Sequence, residues 1–200
     1  MDVLGIPEDF RKDQYILKPL VQSMMTALEK PKANVRVCQD PLLGGISQAL
    51  DWENIEEILD RYKGMVQVFL LLVDRDGETG RRAALDNIQI KAGTRLETAA
   101  RSGFLLAEHA WQEVEIWALA ACDNLPSDWC WEAMRAERDV KETYFIPYVR
   151  RTNYRNQPGE GRLPLGKRIP RKYQRVKTKC PEDVAALEAQ IGAHLDRTSC

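Results

Sequence analysis

Apolar positions along the chain switch repeatedly between short continuous runs and a helical period. Residues 2–6, Asp-Val-Leu-Gly-Ile, form a short apolar run that stops at Pro7. Beyond it Ile16, Leu17, Leu20, Met24 and Leu28 recur at helical spacing until Pro31. This predicts a strand, a loop and a helix. Residues 34–38, Asn-Val-Arg-Val-Cys, predict a second strand, and Gly44-Gly45 marks a loop. Asp51 is placed to cap the next helix, which carries Ile55, Ile58, Leu59 and Tyr62 on one face and ends at Gly64, suited to a left-handed turn. Residues 65–73 are almost unbroken in apolar character, as expected of a strand covered by helices on both faces.

The alternation continues. A helix is expected from Thr79 to about Lys91, a strand over 103–108, an apolar helix from Trp111 to Cys122 interrupted by Glu113 and Glu115, and a helix over 129–140. Strands separated by helices predict parallel βαβ units wound around one sheet, an α/β fold. Residues 150–180 contain Pro158, Pro164, Pro170, three glycines and many cations, a loop composition, before a last amphipathic helix from Pro181 to about Leu195. The expected organisation is an α/β domain over 1–148 and a basic, loop-rich extension over 149–200 packed on it and ending in a helix.

Composition narrows the chemistry. A chain of 200 residues with 44% hydrophobic content can bury a core without disulfides or a structural metal. Cys38, Cys122, Cys130, Cys180 and Cys200 are scattered, and the two histidines, His109 and His194, leave little material for zinc or for a histidine-based triad. Carboxylate chemistry is favoured instead. No stretch reaches the roughly 18 to 20 apolar residues of a membrane span, and the N-terminus is acidic, so a cytoplasmic protein without membrane contact is expected. Trp111, Trp117, Trp129 and Trp131, close to helical spacing, are expected mainly in the core. The net charge of −1 conceals an excess of +7 in residues 149–200 and of −8 in the rest.

Ligands of open parallel sheets bind beyond the carboxyl ends of the strands, and Val73-Asp74-Arg75-Asp76-Gly77 falls there. Two carboxylates one residue apart on a turn can both reach a hard cation, and Gly77 lets the backbone bend around it. The competing reading is a solvated turn in which the aspartates bond nearby amides. Glu8-Asp9 follows the first strand and opens onto the same edge of the sheet; its competing reading is a pair of surface acids before a helix N-terminus. Glu115, flanked by Ile116 and Trp117, is harder to place in solvent than Glu113.

Glu8 after the first strand and Asp74-x-Asp76 after a later one resemble the TOPRIM catalytic domain. Glu115-Ile-Trp-Ala-Leu-Ala120 is similar to the Glu-x-Trp segment of small stand-alone TOPRIM-like proteins of bacterial phage-defence systems. The resemblance covers about residues 1–125. It implies a Rossmann-like TOPRIM fold with a mainly parallel sheet, and a nuclease hydrolysing phosphodiester bonds in DNA or RNA. It also implies Mg2+ or Mn2+ held by Glu8, Asp74 and Asp76, with Glu115 as a further catalytic candidate. Pro7 precedes and Asp9 follows Glu8 where the family glutamate is normally followed by glycine, so Glu8 and Asp9 both stand as ligand candidates. An ATPase partner and a homo-oligomer are further implications. The basic extension is the expected nucleic-acid contact, through Arg150, Arg151, Lys167, Arg168, Arg171 and Lys172, with Tyr154 and Tyr173 placed to stack on bases.

Three other readings compete. Asp74-Arg-Asp-Gly-Glu-Thr79 resembles the nucleophile loop of haloacid-dehalogenase phosphatases, although that loop normally follows the first strand and its threonine directly follows glycine. The Asp-x-Asp of sugar-nucleotide transferases is a second match, crowded by so short a chain. The third is a non-catalytic interaction subunit with a vestigial acidic edge.

Overall fold

The structure, a computed structural model, describes residues 1–97 and 103–197. Its centre is an all-parallel sheet of β1 (Asp2–Pro7), β2 (Asn34–Val37), β3 (Val68–Val73) and β4 (Phe104–His109) in the order β2-β1-β3-β4. Parallel neighbours require crossovers, and helices supply them. These are α1 (Phe10–Ala27) after β1, α2 (Ile46–Ala49) and α3 (Trp52–Tyr62) after β2, and α4 (Arg81–Glu97) after β3. The chain steps outward from β1 to β2, returns to the other side of β1 for β3, and continues outward to β4. That reversal puts the topological switch point, where open sheets form a ligand crevice, at the carboxyl ends of β1 and β3.

Alternation along the strands sorts two cores. Val68, Leu70 and Leu72 join Val3 on the face covered by α1, while Phe69, Leu71 and Val73 join Leu4 and Ile6 on the face covered by α3 and α4. Every residue of β3 is buried, which explains its unbroken apolar run. Asp51 caps α3 as the sequence predicts, its Oδ1 accepting the Glu53 amide at 3.1 Å. The exit of α3 differs from expectation. Gly64 does not take a positive φ; the Met65 and Val66 amides both close on the Tyr62 carbonyl at 2.9 Å, so a right-handed turn leads into β3.

After β4 the chain is helical: α5 (Glu115–Ala120), α6 (Trp131–Ala136), α7 (Ile146–Arg151), α8 (Arg162–Gly166), α9 (Ile169–Lys179) and α10 (Ala186–Arg197). Single π-helical turns at Lys141–Phe145 and Pro181–Ala185 lead into α7 and α10. The expected helix from Trp111 to Cys122 contracts to α5, because residues 111–114 form a turn. The loop expected over 150–180 is a correction: much of it is helix, in α8 and α9. Prolines did not prevent this, since Pro164 and Pro170 lie in first turns, where an amide has no partner inside the helix to lose. With the following π-helical turn and α10, these helices bury Leu165, Ile169, Val176, Val184 and Ile191 in the same core as α1 and Trp117, which is 1% exposed. No described helix is long and apolar enough to cross a membrane.

Helix α8 packs backbone-close on α1, and a Cβ at Gly166 would overlap the Tyr15 carbonyl oxygen. Gly166→Ala should therefore cost about 2 to 3 kcal/mol through forced separation of the two helices. Thermal unfolding should show a midpoint lower by roughly 5 to 10 °C; an unchanged midpoint would mean the helices separate freely.

Candidate metal centre

Strand β1 delivers Glu8 and strand β3 delivers Asp74 to the switch point, where Glu8 Oε2 stands 3.5 Å from the Asp74 amide. Asp9 has another task. As N-cap of α1 it accepts the Arg11 amide at 2.9 Å, while its own amide donates to Asp13 Oδ2 at 3.2 Å. Of the two candidate ligands, Glu8 is the one beside Asp74.

The turn after β3 is held from outside. The Gln112 carbonyl accepts the Arg75 and Asp76 amides at 2.7 and 3.2 Å, and its side-chain Oε1 accepts the Gly77 amide at 2.9 Å. Asp76 and Gly77 both take left-handed φ, +55° and +72°, a conformation glycine accepts freely and aspartate tolerates better than most residues. The bend anticipated at Gly77 is present, and it requires Gln112 as its brace.

The turn at 111–114 also brings in acids. The Val114 amide donates to Asp74 Oδ1 at 2.8 Å. One carboxylate oxygen from each of Asp74, Glu113 and Glu115 lies within 4.8 Å of the others, a buried acidic cluster of a size that can hold a metal ion. Glu113 is 8% exposed and Glu115 2% exposed. Asp76 stands 3.5 Å from the Arg81 guanidinium, and Asp13 on α1 interacts electrostatically with Glu115 and Glu8. Arg162, 2% exposed, reaches in from the first residue of α8 to pair with Glu115. Of the residues the sequence points to, Asp74 and Glu115 enter the cluster, whereas Glu8 stands outside it beside the Asp74 amide and Asp76 outside it against Arg81. Sequence reasoning left Glu113 in second place and missed Asp13, Gln112, Arg81 and Arg162, because periodicity alone gives each of them an ordinary helical or turn role.

Crowding acids in a crevice raises their proton affinities. Burial, reinforced by Asp76, pushes Glu8 up to about 7. Burial and the neighbouring Glu115 push Asp13 up to about 8. Asp74 is displaced well above the usual carboxylate range by burial, with Glu115 and Glu8 adding to it. Burial raises Glu113 to about 7 although the Lys141 amide, 2.5 Å away, opposes the shift. Asp76 is raised too, by burial, against Arg81. These carboxyls are therefore harder to ionise than exposed ones, and a cation that displaces their protons meets only oxygen donors.

The basic residues are dispersed. Arg150 and Arg151 are exposed at the end of α7, whereas Lys167, Arg168, Arg171 and Lys172 line one hollow near the junction of α8 and α9. Tyr173 corrects expectation: it is 9% exposed and its hydroxyl donates to Glu188 at 2.6 Å, so it cannot stack on a base. Tyr154 is half-buried, with Arg168 over its ring at 5.7 Å. Trp117 is core as predicted, while Trp111, Trp129 and Trp131 are partly exposed.

Two outcomes test this electrostatic description. Arg162→Met leaves Glu115 buried without its partner and should cost about 3 to 5 kcal/mol in urea unfolding. Adding Glu115→Gln should recover much of that loss; no recovery would show that Arg162 acts through packing alone. Asp13 has its folded-state affinity for a proton raised above that of the unfolded chain, so its stabilising protonation is complete below about pH 4 and is lost as pH rises through about 8. Asp13→Asn should flatten the decline in stability over that interval, with its advantage greatest above pH 8. A parallel pH profile for the two proteins would contradict the assigned burial.

None of the protein-family models, curated proteins or solved structures compared with this chain matches it.

Proposed function

We propose that this centre holds Mg2+ or Mn2+ and that the protein hydrolyses phosphodiester bonds in DNA or RNA, as its resemblance to TOPRIM nucleases implies. The observation that carries the reading is the convergence of Asp74, Glu113 and Glu115 at the switch point, with Glu8 and Asp76 beside them. The donors fit the group. They are carboxylate oxygens without sulfur or imidazole, the preference of a hard divalent cation rather than zinc. Asp74, Glu113 and Glu115 form the closest set, and Glu8 and Asp76 complete the ligand set that the resemblance implies. Such a cation stabilises charge on a scissile phosphate and lowers the pKa of water.

The remaining work falls to side chains of this chain. Glu8, half-buried beside the Asp74 amide, serves either as a further ligand or as the base that takes a proton from an attacking water. Arg81 is buried with its guanidinium 3.5 Å from Asp76, and adds positive charge beside the position of a scissile phosphate. Work within a larger assembly, with an ATPase partner or further copies of the chain, belongs to the same proposal. One observation favours a second reading. Arg162 already supplies a positive charge to Glu115, as expected of a non-catalytic subunit whose acidic edge is closed by its own cation.

Mn2+ titration separates the two. Wild type should bind Mn2+ and gain about 2.7 kcal/mol of stability at a hundredfold excess over Kd. Affinity should rise from pH 6 to pH 8 as Glu8 and Glu113 give up protons held near 7. Asp74→Asn should remove both the binding and any Mn2+-dependent cleavage of plasmid DNA or RNA. Cleavage that persists in Asp74→Asn rejects the assignment, and a wild type that neither binds Mn2+ nor cleaves is the outcome of the second reading.

A further inference from the structure

Two hollows meet at Lys167, and their linings differ sharply. The first, about 450 Å3, is lined by Lys167, Arg168, Arg171 and Lys172 with Ala121 and a single carboxylate, Asp123. The second, about 460 Å3, lies between α1 and the α8–α9 region and is walled by Tyr15, Pro19, Leu163 and Pro170, with Lys18 and Lys167 on its rim. One is cationic and the other mainly apolar.

The charge in the first hollow is only partly balanced internally. Asp123 pairs with Lys172 at 2.7 Å and stands 3.6 Å from Arg175, a residue outside the lining. Among the described residues neither Lys167 nor Arg171 has a carboxylate within ion-pair distance, and both are exposed. Arg168 is oriented by neutral oxygens, its Nη1 donating to the Tyr148 hydroxyl at 3.3 Å and its Nη2 to the Tyr154 hydroxyl at 3.2 Å. Four cations facing one acid make a site for a compact, multiply charged anion, and a fixed guanidinium among them suits phosphate oxygens.

The adjoining groove supplies what a phosphate alone does not use. Tyr15 offers an aromatic ring, Pro170 and Leu163 apolar surface, and Gln14 and Gln22 amides able to meet the polar edge of a heterocycle. Lys167 borders both volumes, so a ligand spanning them carries its anion on one side of that residue and its flat apolar part on the other. We propose that the two hollows form one nucleotide-binding site, taking the phosphate of a nucleoside monophosphate unit among Lys167, Arg168, Arg171 and Lys172 and its base against Tyr15. The unit is either a free nucleotide or the 5′-phosphorylated end of a strand. The site is distinct from the acidic centre, since neither lining includes Glu8, Asp13, Asp74, Asp76, Glu113, Glu115, Arg81 or Arg162. It stands whether or not that centre cuts nucleic acid.

The test uses the full chain with EDTA present, so that no metal bridges ligand to protein. Titration calorimetry with adenosine 5′-monophosphate, adenosine and inorganic phosphate should give affinity for the nucleotide about tenfold above either fragment, the effect of one stacked base. Lys167→Ala with Arg171→Ala, both exposed, should lower nucleotide affinity about tenfold without moving the unfolding midpoint, and should flatten the salt dependence. Tyr15→Leu should weaken the nucleotide but not phosphate, and Asp74→Asn should change neither. Five-nucleotide strands with and without a 5′-phosphate identify the source: preference for the phosphorylated strand indicates a strand end, and binding of the free nucleotide alone indicates a mononucleotide. Equal affinity for nucleotide and phosphate removes the groove from the site and overturns the proposal. So does strand binding that ignores the 5′-phosphate while the nucleotide fails to bind, which describes a backbone track.

Discussion

Carboxylates gathered at the carboxyl ends of β1 and β3 are the constraint around which much of this molecule is arranged. Glu8, Asp13, Asp74, Asp76, Glu113 and Glu115 interact electrostatically at this end of the sheet, and the buried cations facing them are Arg81 and Arg162. Two like charges about 4 Å apart cost about 4 kcal/mol at a dielectric constant near 20, a large part of a domain's stability. The structure lowers that cost with amides such as those of Val114 and Lys141, and with the guanidinium that α8 carries in from the C-terminal half. A divalent cation lowers it further, and this is the physical link between the fold's least comfortable feature and its proposed chemistry.

The C-terminal helices are therefore more than cover for the sheet. They bury one face of the core and place Arg162 against Glu115, joining packing to electrostatics at a single residue. Several of their cations are used internally in the same way. Arg135 pairs with buried Asp183 at 2.9 Å, and Arg175 donates to the Ala120 and Cys122 carbonyls at 3.0 Å, closing the end of α5. The positive excess of this region is thus divided between cations that hold the fold together and those left at the surface around Lys167. The surface group carries the chemistry for an anionic ligand; the internal group does not.

Rigidity of the acidic centre comes from the turn after β4. Gln112 binds three successive amides of the turn after β3, and the next residue and Glu115 contribute acids to the cluster. The two turns belong to adjacent parallel strands, so the register of β3 with β4 fixes how their side chains meet. A site braced by backbone contacts in this way holds its carboxylates together despite their repulsion.

Much of the framework was legible in the residues themselves. The apolar run of β3 and the cap at Asp51 are set by local preferences, the bend at Gly77 is favoured by its glycine though braced by Gln112, and the alternation of strand and helix favours parallel pairing. Adjacency was legible in part, because Glu8 and Asp74 each follow a strand. That β1 lies beside β3 is decided by the whole sheet. The rest depended on contacts that sequence spacing does not encode. Prolines at 164 and 170 carry a loop composition, yet their places in first turns let burial of Leu165, Ile169 and Val176 make helices. Tyr173 and Arg162 have side chains suited to solvent, and partners elsewhere in the chain draw both inside: Glu188 for one and Glu115 for the other. Periodicity reports which face of an element is apolar; only tertiary packing decides which buried polar groups find partners, and it is that decision which assembled the acidic centre.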